Sequence, residues 1–292
     1  MSNRNQKTII YIIAIVIVGL GILLGTLFDL DIAKALSFEQ IGANTYILSG
    51  HWFFNVFNVV GTWIASLFVC ICCIIISVNV LRKIELKSPA VLLPLVLFLA
   101  NIAILAYSSA YTMKKFAGSL DFWHYLVAII MTIVISILIF LTIVSVPRNK
   151  LMSYMYASIS SLVCIAVLFI IVMAIKFVFG RMSPVDLIRI GDVEGKYKAW
   201  YSVSPSFKYT SFPSLTIALL TFMFSLTIFF NSKKEKNIGL YIYNILAIVL
   251  LIMFALSALF SGENYLTDIS FAFGFGFLFS ELNKLLFKKM TK

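Results

Sequence analysis

Apolar runs of about 20 residues recur along this chain and are separated by short polar connectors. An α-helix of that length is what is needed to cross the roughly 30 Å hydrocarbon core of a bilayer. The composition agrees, because 62% of the residues are hydrophobic and only 12% are charged. The sequence therefore predicts an all-α fold, a polytopic bundle of membrane helices, with no room for a separate soluble domain.

Eight such spans are predicted, with boundaries accurate to a few residues. Lysine and arginine favour the cytoplasmic ends of membrane helices. With the N-terminus inside, 14 of the 23 basic residues fall on cytoplasmic segments. We therefore expect both termini in the cytoplasm, a multi-pass protein of the cell membrane, and an outer loop over residues 29–53. The predicted spans are 8–28, 54–80, 89–109, 123–146, 154–180, 213–231, 238–260 and 265–287.

The net charge of +11 raises the question of a nucleic-acid partner. Basic residues at cytoplasmic helix ends are explained by membrane topology and by attraction to anionic lipid headgroups. We therefore expect membrane lipids as partners and no nucleic acid. The four cysteines lie inside apolar spans without disulfide or zinc spacing, and His, Asp and Glu form no metal-ligand pattern. No cofactor and no metal are predicted.

Three short pieces in the C-terminal half carry the strongest functional signal. They read KFVFGRMSP over residues 176–184, FPSLT over 212–216 and SALFSGENYLTD over 257–268. On the predicted topology each piece lies at the outer end of a helix, so all three meet on one face of the membrane. Their order and internal spacing therefore predict a single site at that face.

The three pieces resemble the signature of the type 2 phosphatidic acid phosphatase and haloperoxidase superfamily. That signature reads Lys, six residues, Arg-Pro; then Pro-Ser-Gly-His; then Ser-Arg, five residues, His, three residues, Asp. The resemblance implies that the last His attacks phosphorus, the Asp orients it, and the other His protonates the leaving group. It also implies that Lys, Arg and Ser hold the phosphate. The similarity covers about residues 154–287.

Several signature positions are retained in this chain. Lys176 and Ser214 stand at phosphate-binding positions, and Arg181 resembles the arginine of a Gly-Arg pair that many relatives carry at this point. These three residues form the predicted phosphate-binding remnant. Asp268 is also retained, and because an intramembrane carboxylate is usually paired, we expect it to pair with Lys176, Arg181 or Asn264.

Five signature positions carry other residues. A carboxamide at the nucleophile position is not a useful nucleophile for phosphorus, and a threonine at the acid position has no proton to give near neutral pH. Without the two arginines the bidentate phosphate clamp is lost. No catalytic residue is therefore predicted. The substitutions are Ser183 for Arg, Leu215 for Gly, Thr216 for His, Ala258 for Arg and Asn264 for His.

Two simpler interpretations stay open at these positions. Ser214 and Thr216 stand at the start of a predicted helix and fit a capping role. His51 and His124 are the only histidines, and either one would have to serve as nucleophile if the chain were active. His124 lies beside Trp123 at a helix end, where an interfacial role is the simpler interpretation.

The sequence predicts a protein that resembles a lipid phosphate phosphatase and is catalytically inactive. It would bind a lipid phosphate or diphosphate headgroup at the outer face, or act as a scaffold for protein partners that the sequence does not identify. Two alternatives remain: an active lipid phosphatase, acting on phosphatidic acid or undecaprenyl diphosphate, and a transporter or channel component. The predicted regions are residues 1–150, with no recognised family, and 151–292, a phosphatase-like helical core.

Overall fold

The computed structural model describes residues 3–40, 43–82, 91–117, 121–191, 193–230 and 238–291. Most of these residues are helical. The basic residues predicted on 83–87 and 233–236 lie outside the described ranges. The helices are α1 Asn3–Ala35, α2 Trp52–Leu81, α3 Leu92–Ala117, α4 Phe122–Val144, α5 Arg148–Phe179, α6 Pro184–Ile190, α7 Val193–Lys196, α8 Leu215–Phe222, α9 Ile238–Phe260 and α10 Leu266–Met290.

Seven of the helices in these ranges are long and apolar enough to cross a membrane. The chain is an all-α, polytopic helical bundle, as its apolar runs predicted. The predicted span 213–231 corresponds to α8 followed by a 3₁₀ helix, Met223–Phe229, and this apolar stretch is shorter than the others. The total of eight spans and the cytoplasmic position of both termini stay predictions.

The residues of the chain form two compact units, and each unit combines separate segments of the sequence. The predicted division at residue 150 separates a region without a recognised family from a phosphatase-like region, and it stays a prediction. The first unit contains Met1–Asn58, Val167–Phe224 and Ile242–Ser280. The second contains Val59–Ala166, Ser225–Tyr241 and Glu281–Lys292.

The second unit holds none of the signature positions. One of its hydrophobic clusters is built on Ile74, Ile75 and Leu151. Helix packing there is supported by hydrogen bonds between polar side chains, including one between the Ser66 and Ser108 hydroxyls at 2.6 Å. Such contacts are typical of helices that associate within a membrane.

In the first unit, the start of the predicted outer loop is helical. Residues 29–35 continue α1, so the prediction that the helix ends before Asp29 is wrong. Asp29 is only 2% exposed, and its carboxylate lies 3.0 Å from an Arg181 side-chain nitrogen. The buried carboxylate is thus compensated by a cation within the protein. After α1, strands β1 Ser37–Gln40 and β2 Ala43–Tyr46 form a short antiparallel hairpin.

Candidate functional site

The signature positions lie at the ends of four helices in the first unit. Lys176 is in the last turn of α5, Ser214 precedes α8, Ser257 is near the end of α9, and Asp268 is in the first turn of α10. Hydrogen bonds from Lys176 and Asn264 to the Ser211 main-chain oxygen bring these ends together. The three sequence pieces therefore contribute to one region, as their spacing predicted.

A small cavity lies in this region. Its volume is about 20 Å³, which gives room for about one water molecule. Both positions at which the resemblance would place a histidine, Thr216 and Asn264, line it. The full lining is Asn58, Ser214, Thr216, Ile217, Phe254, Ala258, Glu263 and Asn264.

Lys176 does not line this cavity. Its side-chain nitrogen donates to the main-chain oxygen of Thr210 and, at 3.3 Å, to that of Ser211. The residue is 9% exposed. Lys176, which the sequence predicts to bind phosphate, therefore donates instead to main-chain carbonyls of the segment that leads into the second signature piece.

Arg181 is also absent from the cavity lining and makes two buried ion pairs. Its Nη1 atom lies 2.7 Å from Asp268 Oδ1, and its Nη2 atom lies 3.0 Å from Asp29 Oδ2. All three side chains are at most 1% exposed. The pairing of Asp268 with Arg181 confirms one of the three partners suggested by the sequence.

Neutral groups complete the surroundings of the guanidinium. Nη1 donates to the Thr267 hydroxyl at 2.7 Å, Nη2 to the Tyr197 hydroxyl at 3.2 Å, and Nε to the Lys198 main-chain oxygen at 2.8 Å. The Tyr265 ring centre lies 3.7 Å from the guanidinium carbon, a cation–π contact. Burial raises the pKa of the Tyr197 phenol, which therefore stays neutral. We call Arg181, Asp29, Asp268, Thr267 and Tyr197 the Arg181 cluster.

Ser211 connects four of the predicted positions and was missed by the sequence reasoning. Its main-chain oxygen accepts from Asn264 Nδ2 at 2.9 Å and from Lys176 at 3.3 Å. Its hydroxyl donates to Asp268 Oδ2, and its N–H donates to the Arg181 main-chain oxygen at 3.0 Å. One serine of the chain itself thus occupies the hydrogen-bonding groups that the resemblance assigns to phosphate and to the nucleophile. Its only sequence signal is its place just before the Pro-Ser pair.

Asp29 is the second residue that was missed, although a sequence signal for it exists. Gly21, Gly25 and Asp29 are spaced by four, so they share one face of α1. A Cβ atom on Gly25 would lie 2.7 Å from the Thr267 nitrogen, and one on Gly21 would collide with the Ser270 hydroxyl. Glycines let two helices approach closely, and this approach of α1 to α10 brings Asp29 to Arg181.

The remaining substituted positions have local roles. Ser183 is the N-cap of α6, and its hydroxyl donates to the Asp186 carboxylate at 2.7 Å. Leu215 is the first residue of α8. The Ala258 main-chain oxygen accepts from the Asn264 N–H at 3.1 Å, in the turn between α9 and α10. Ser214 stands at the N-cap of α8, but its side chain makes no capping hydrogen bond.

Neither histidine lines the cavity. The His51 Nδ1 atom accepts from the Phe53 N–H at 3.3 Å, and the His124 Nδ1 atom accepts from the Asp121 N–H at 3.2 Å in a capping box. Both rings thus have local partners at the start of a helix. Within the described ranges, no three His, Cys, Asp or Glu side chains are grouped so as to hold a metal ion.

The family comparison agrees with this geometry. Residues 157–291 match the sequence model of the PAP2 superfamily, the type 2 phosphatidic acid phosphatase family. This C-terminal region is similar to the PAP2 superfamily, as the three pieces predicted. It is a multi-pass, lipid-phosphatase-like membrane protein. No curated protein matches the sequence, and no solved structure matches it.

Proposed function

We propose that this chain is a lipid-binding PAP2 protein of the cell membrane that does not hydrolyse phosphate esters. One observation carries the proposal: the two positions that the resemblance assigns to catalytic histidines line one cavity as Thr216 and Asn264. This observation supports a pocket that keeps its place while its reactive groups are replaced.

The replaced groups supply neither a nucleophile nor an acid. Asn264 is a carboxamide, and its nitrogen donates to the Ser211 main-chain oxygen. Thr216 carries an alcohol, which is not acidic enough to protonate a leaving group near neutral pH. General acid–base catalysis by a positioned side chain contributes about 10²–10⁴ in rate. Losing it together with the nucleophile supports an inactive site.

The charges around the cavity also disfavour phosphate chemistry. Phosphoryl transfer needs cations placed on the transferring group. Lys176 and Arg181 are bonded elsewhere, and among the residues that the structure describes Glu263 is the one charged side chain in the lining. Freeing Arg181 would leave two buried carboxylates unpaired, and breaking a buried pair costs about 3–5 kcal/mol. Binding of a lipid phosphate headgroup at the outer face stays a prediction, and this arrangement offers it no cation.

The decisive experiment measures phosphate release by the purified full-length protein. Substrates are phosphatidic acid and undecaprenyl diphosphate, so the active-phosphatase alternative is tested directly. We expect release at the background rate of empty micelles. Turnover that His51→Ala or His124→Ala abolishes would overturn the proposal and identify an unrecognised nucleophile.

A variant that restores the signature sharpens this test. It combines Ser183→Arg, Leu215→Gly, Thr216→His, Ala258→Arg and Asn264→His, with its folded state checked by thermal unfolding. Regained phosphate release would support descent of this pocket from an active one. The scaffold and transporter alternatives stay untested predictions, which partner capture and flux measurements in liposomes address.

A further inference from the structure

A short irregular segment between α7 and α8 has one apolar side and one polar side. Its sequence, YSVSPSF over residues 201–207, alternates apolar or aromatic residues with serines. The exposure alternates with the same period, as in an extended chain: the three serines are half-buried, whereas Val203 is 66% exposed and Phe207 85%. The exposed residues Tyr201, Val203, Pro205 and Phe207 form what we call the apolar ridge.

The serine side of the segment is fixed to the end of α5. The Ser204 N–H donates to the Val178 main-chain oxygen at 3.0 Å. The Ser206 N–H donates to the Phe177 main-chain oxygen at 2.9 Å. The Ser206 hydroxyl in turn accepts from the Lys208 N–H at 3.1 Å. Because these bonds use the serine side, the ridge is left facing away from the protein.

Gly180 allows the segment to lie this close to α5. The glycine directly follows α5 and has a φ of +45°, a conformation that favours glycine. A Cβ atom at this position would overlap the Ser204 main-chain oxygen and lie 2.8 Å from the Ser206 Cβ atom. Any other residue at position 180 would therefore displace the segment.

The ridge continues an exposed apolar stripe of α5. Ile170, Met173 and Phe177 are spaced by three and four residues, so they share one face of the helix, and all three are exposed. The helix belongs to a stretch long and apolar enough to cross a membrane, where such a face meets lipid tails. The ring centres of Phe177 and Phe207 are 4.3 Å apart. The ridge is thus continuous with a surface that lipid covers.

The residues beside the ridge fit the headgroup layer of a bilayer. Trp200 and Tyr201 stand at its start, and tryptophan and tyrosine are enriched at membrane interfaces. Lys198 and Lys208 are exposed on either side of it, and lysines near a membrane surface are attracted by anionic headgroups. Protein interfaces are depleted of lysine. The composition therefore favours a lipid surface over a protein partner.

We propose that the apolar ridge inserts into the lipid leaflet in which α5 ends and anchors the segment before α8 at the bilayer surface. The apolar side chains enter the boundary between headgroups and acyl chains, and Lys208 extends its amino group to the headgroups. Residues 208–210 join the ridge to Ser211, which bonds to several signature residues. The anchor therefore holds the signature region at the level of the lipid headgroups.

Fluorescent labels on introduced cysteines test the insertion. The full-length protein is reconstituted in liposomes of phosphatidylcholine and phosphatidylglycerol, with the label on Val203→Cys or Phe207→Cys. Lys196→Cys is the matched control at an exposed position of the same connector. The four native cysteines are buried, and the unsubstituted protein measures any label that they take up.

The position of each label is read from its emission and from two quenchers. We expect the labels at 203 and 207 to emit at shorter wavelength than the label at 196, to be quenched by nitroxide-bearing lipids and to be shielded from iodide. Labels at 203 and 207 that behave like the label at 196 overturn the inference. Emission at shorter wavelength without quenching by the nitroxide lipids indicates contact with protein, such as a second copy, and also overturns it.

A glycine variant tests whether the end of α5 holds the ridge in place. Gly180→Ala displaces the segment, so lipid quenching of the label at 203 should fall. Gly19→Ala is the control, because its Cβ atom would meet nothing within 4 Å, and it should leave the quenching unchanged. Unchanged quenching in folded Gly180→Ala protein overturns the role given to Gly180. If that variant does not fold, the comparison of labels at 203, 207 and 196 decides the inference. Phosphate release is measured separately and bears only on the proposed function.

Discussion

The cavity and the Arg181 cluster each contain positions of the sequence signature, but they differ in the residues that stand there. In the cavity the reactive residues are replaced by small polar ones, and one hydroxyl, that of Ser214, has no capping bond. In the Arg181 cluster the charges are retained and bonded to one another, with Arg181 and both carboxylates at most 1% exposed. The difference teaches that retained signature residues can be bonded within the fold, while several of the replaced ones line a small cavity.

The largest expected effect breaks the Arg181 cluster. Arg181→Met leaves Asp29 and Asp268 buried without their cation, so the free energy of unfolding should fall by about 3–5 kcal/mol. Thermal unfolding in detergent measures the change. Arg189→Met is the control, because Arg189 is exposed and lies 3.8 Å from Asp186, a kind of pair that contributes about 0–1 kcal/mol. Equal effects of the two variants would show that the cluster does not stabilise the fold.

Asp29→Asn removes one carboxylate and leaves the other paired with Arg181. The amide can still accept a hydrogen bond, so we expect a smaller loss of about 1–3 kcal/mol, in the range for a hydrogen bond to a charged group. Asp31→Asn, on the same helix at an exposed position, is the matched control and should change little. A neutral Asp29→Asn variant would contradict the assigned role of α1 in the cluster.

Gly25→Ala tests the close approach that positions Asp29. The added Cβ would lie 2.6 Å from the Thr267 Cγ2 atom and 2.7 Å from its nitrogen, and overpacking typically costs about 1–3 kcal/mol. Gly19→Ala is the control, since its Cβ would meet nothing within 4 Å. There alanine should be neutral or mildly stabilising, by up to about 1 kcal/mol from helix propensity. Thermal unfolding of both variants distinguishes the destabilisation caused by steric crowding from the effect of alanine on helix propensity.

The sequence predicted the helices well and only part of the site. The predicted span 238–260 coincides with α9, because hydropathy reports directly on a long apolar helix. The neighbourhood of Thr216 and Asn264 followed from the spacing of the signature pieces. Asp29 was missed because its partner Arg181 is 152 residues away, and hydropathy treats a carboxylate as the end of a span whether or not it is paired.

Ser211 shows a different limit of sequence reasoning. Of its five hydrogen bonds to signature residues, two are made by its main-chain oxygen and one by its N–H. Main-chain groups are the same in nearly every residue, so a pattern of side chains in the sequence does not predict these hydrogen bonds. Only the path of the segment before α8 places that peptide between Lys176 and Asn264.

The smallest expected effect completes the comparison. Ser214→Ala removes a hydroxyl that makes no capping bond, so the free energy of unfolding should change by less than about 0.5 kcal/mol. Ser211→Ala removes the hydroxyl that donates to Asp268 and should cost about 1–3 kcal/mol, because a buried charged acceptor loses its donor. Thermal unfolding of the two variants compares serines only three residues apart. A large loss in Ser214→Ala would show that this hydroxyl stabilises the fold, whereas an unchanged free energy of unfolding would show that the fold does not depend on it.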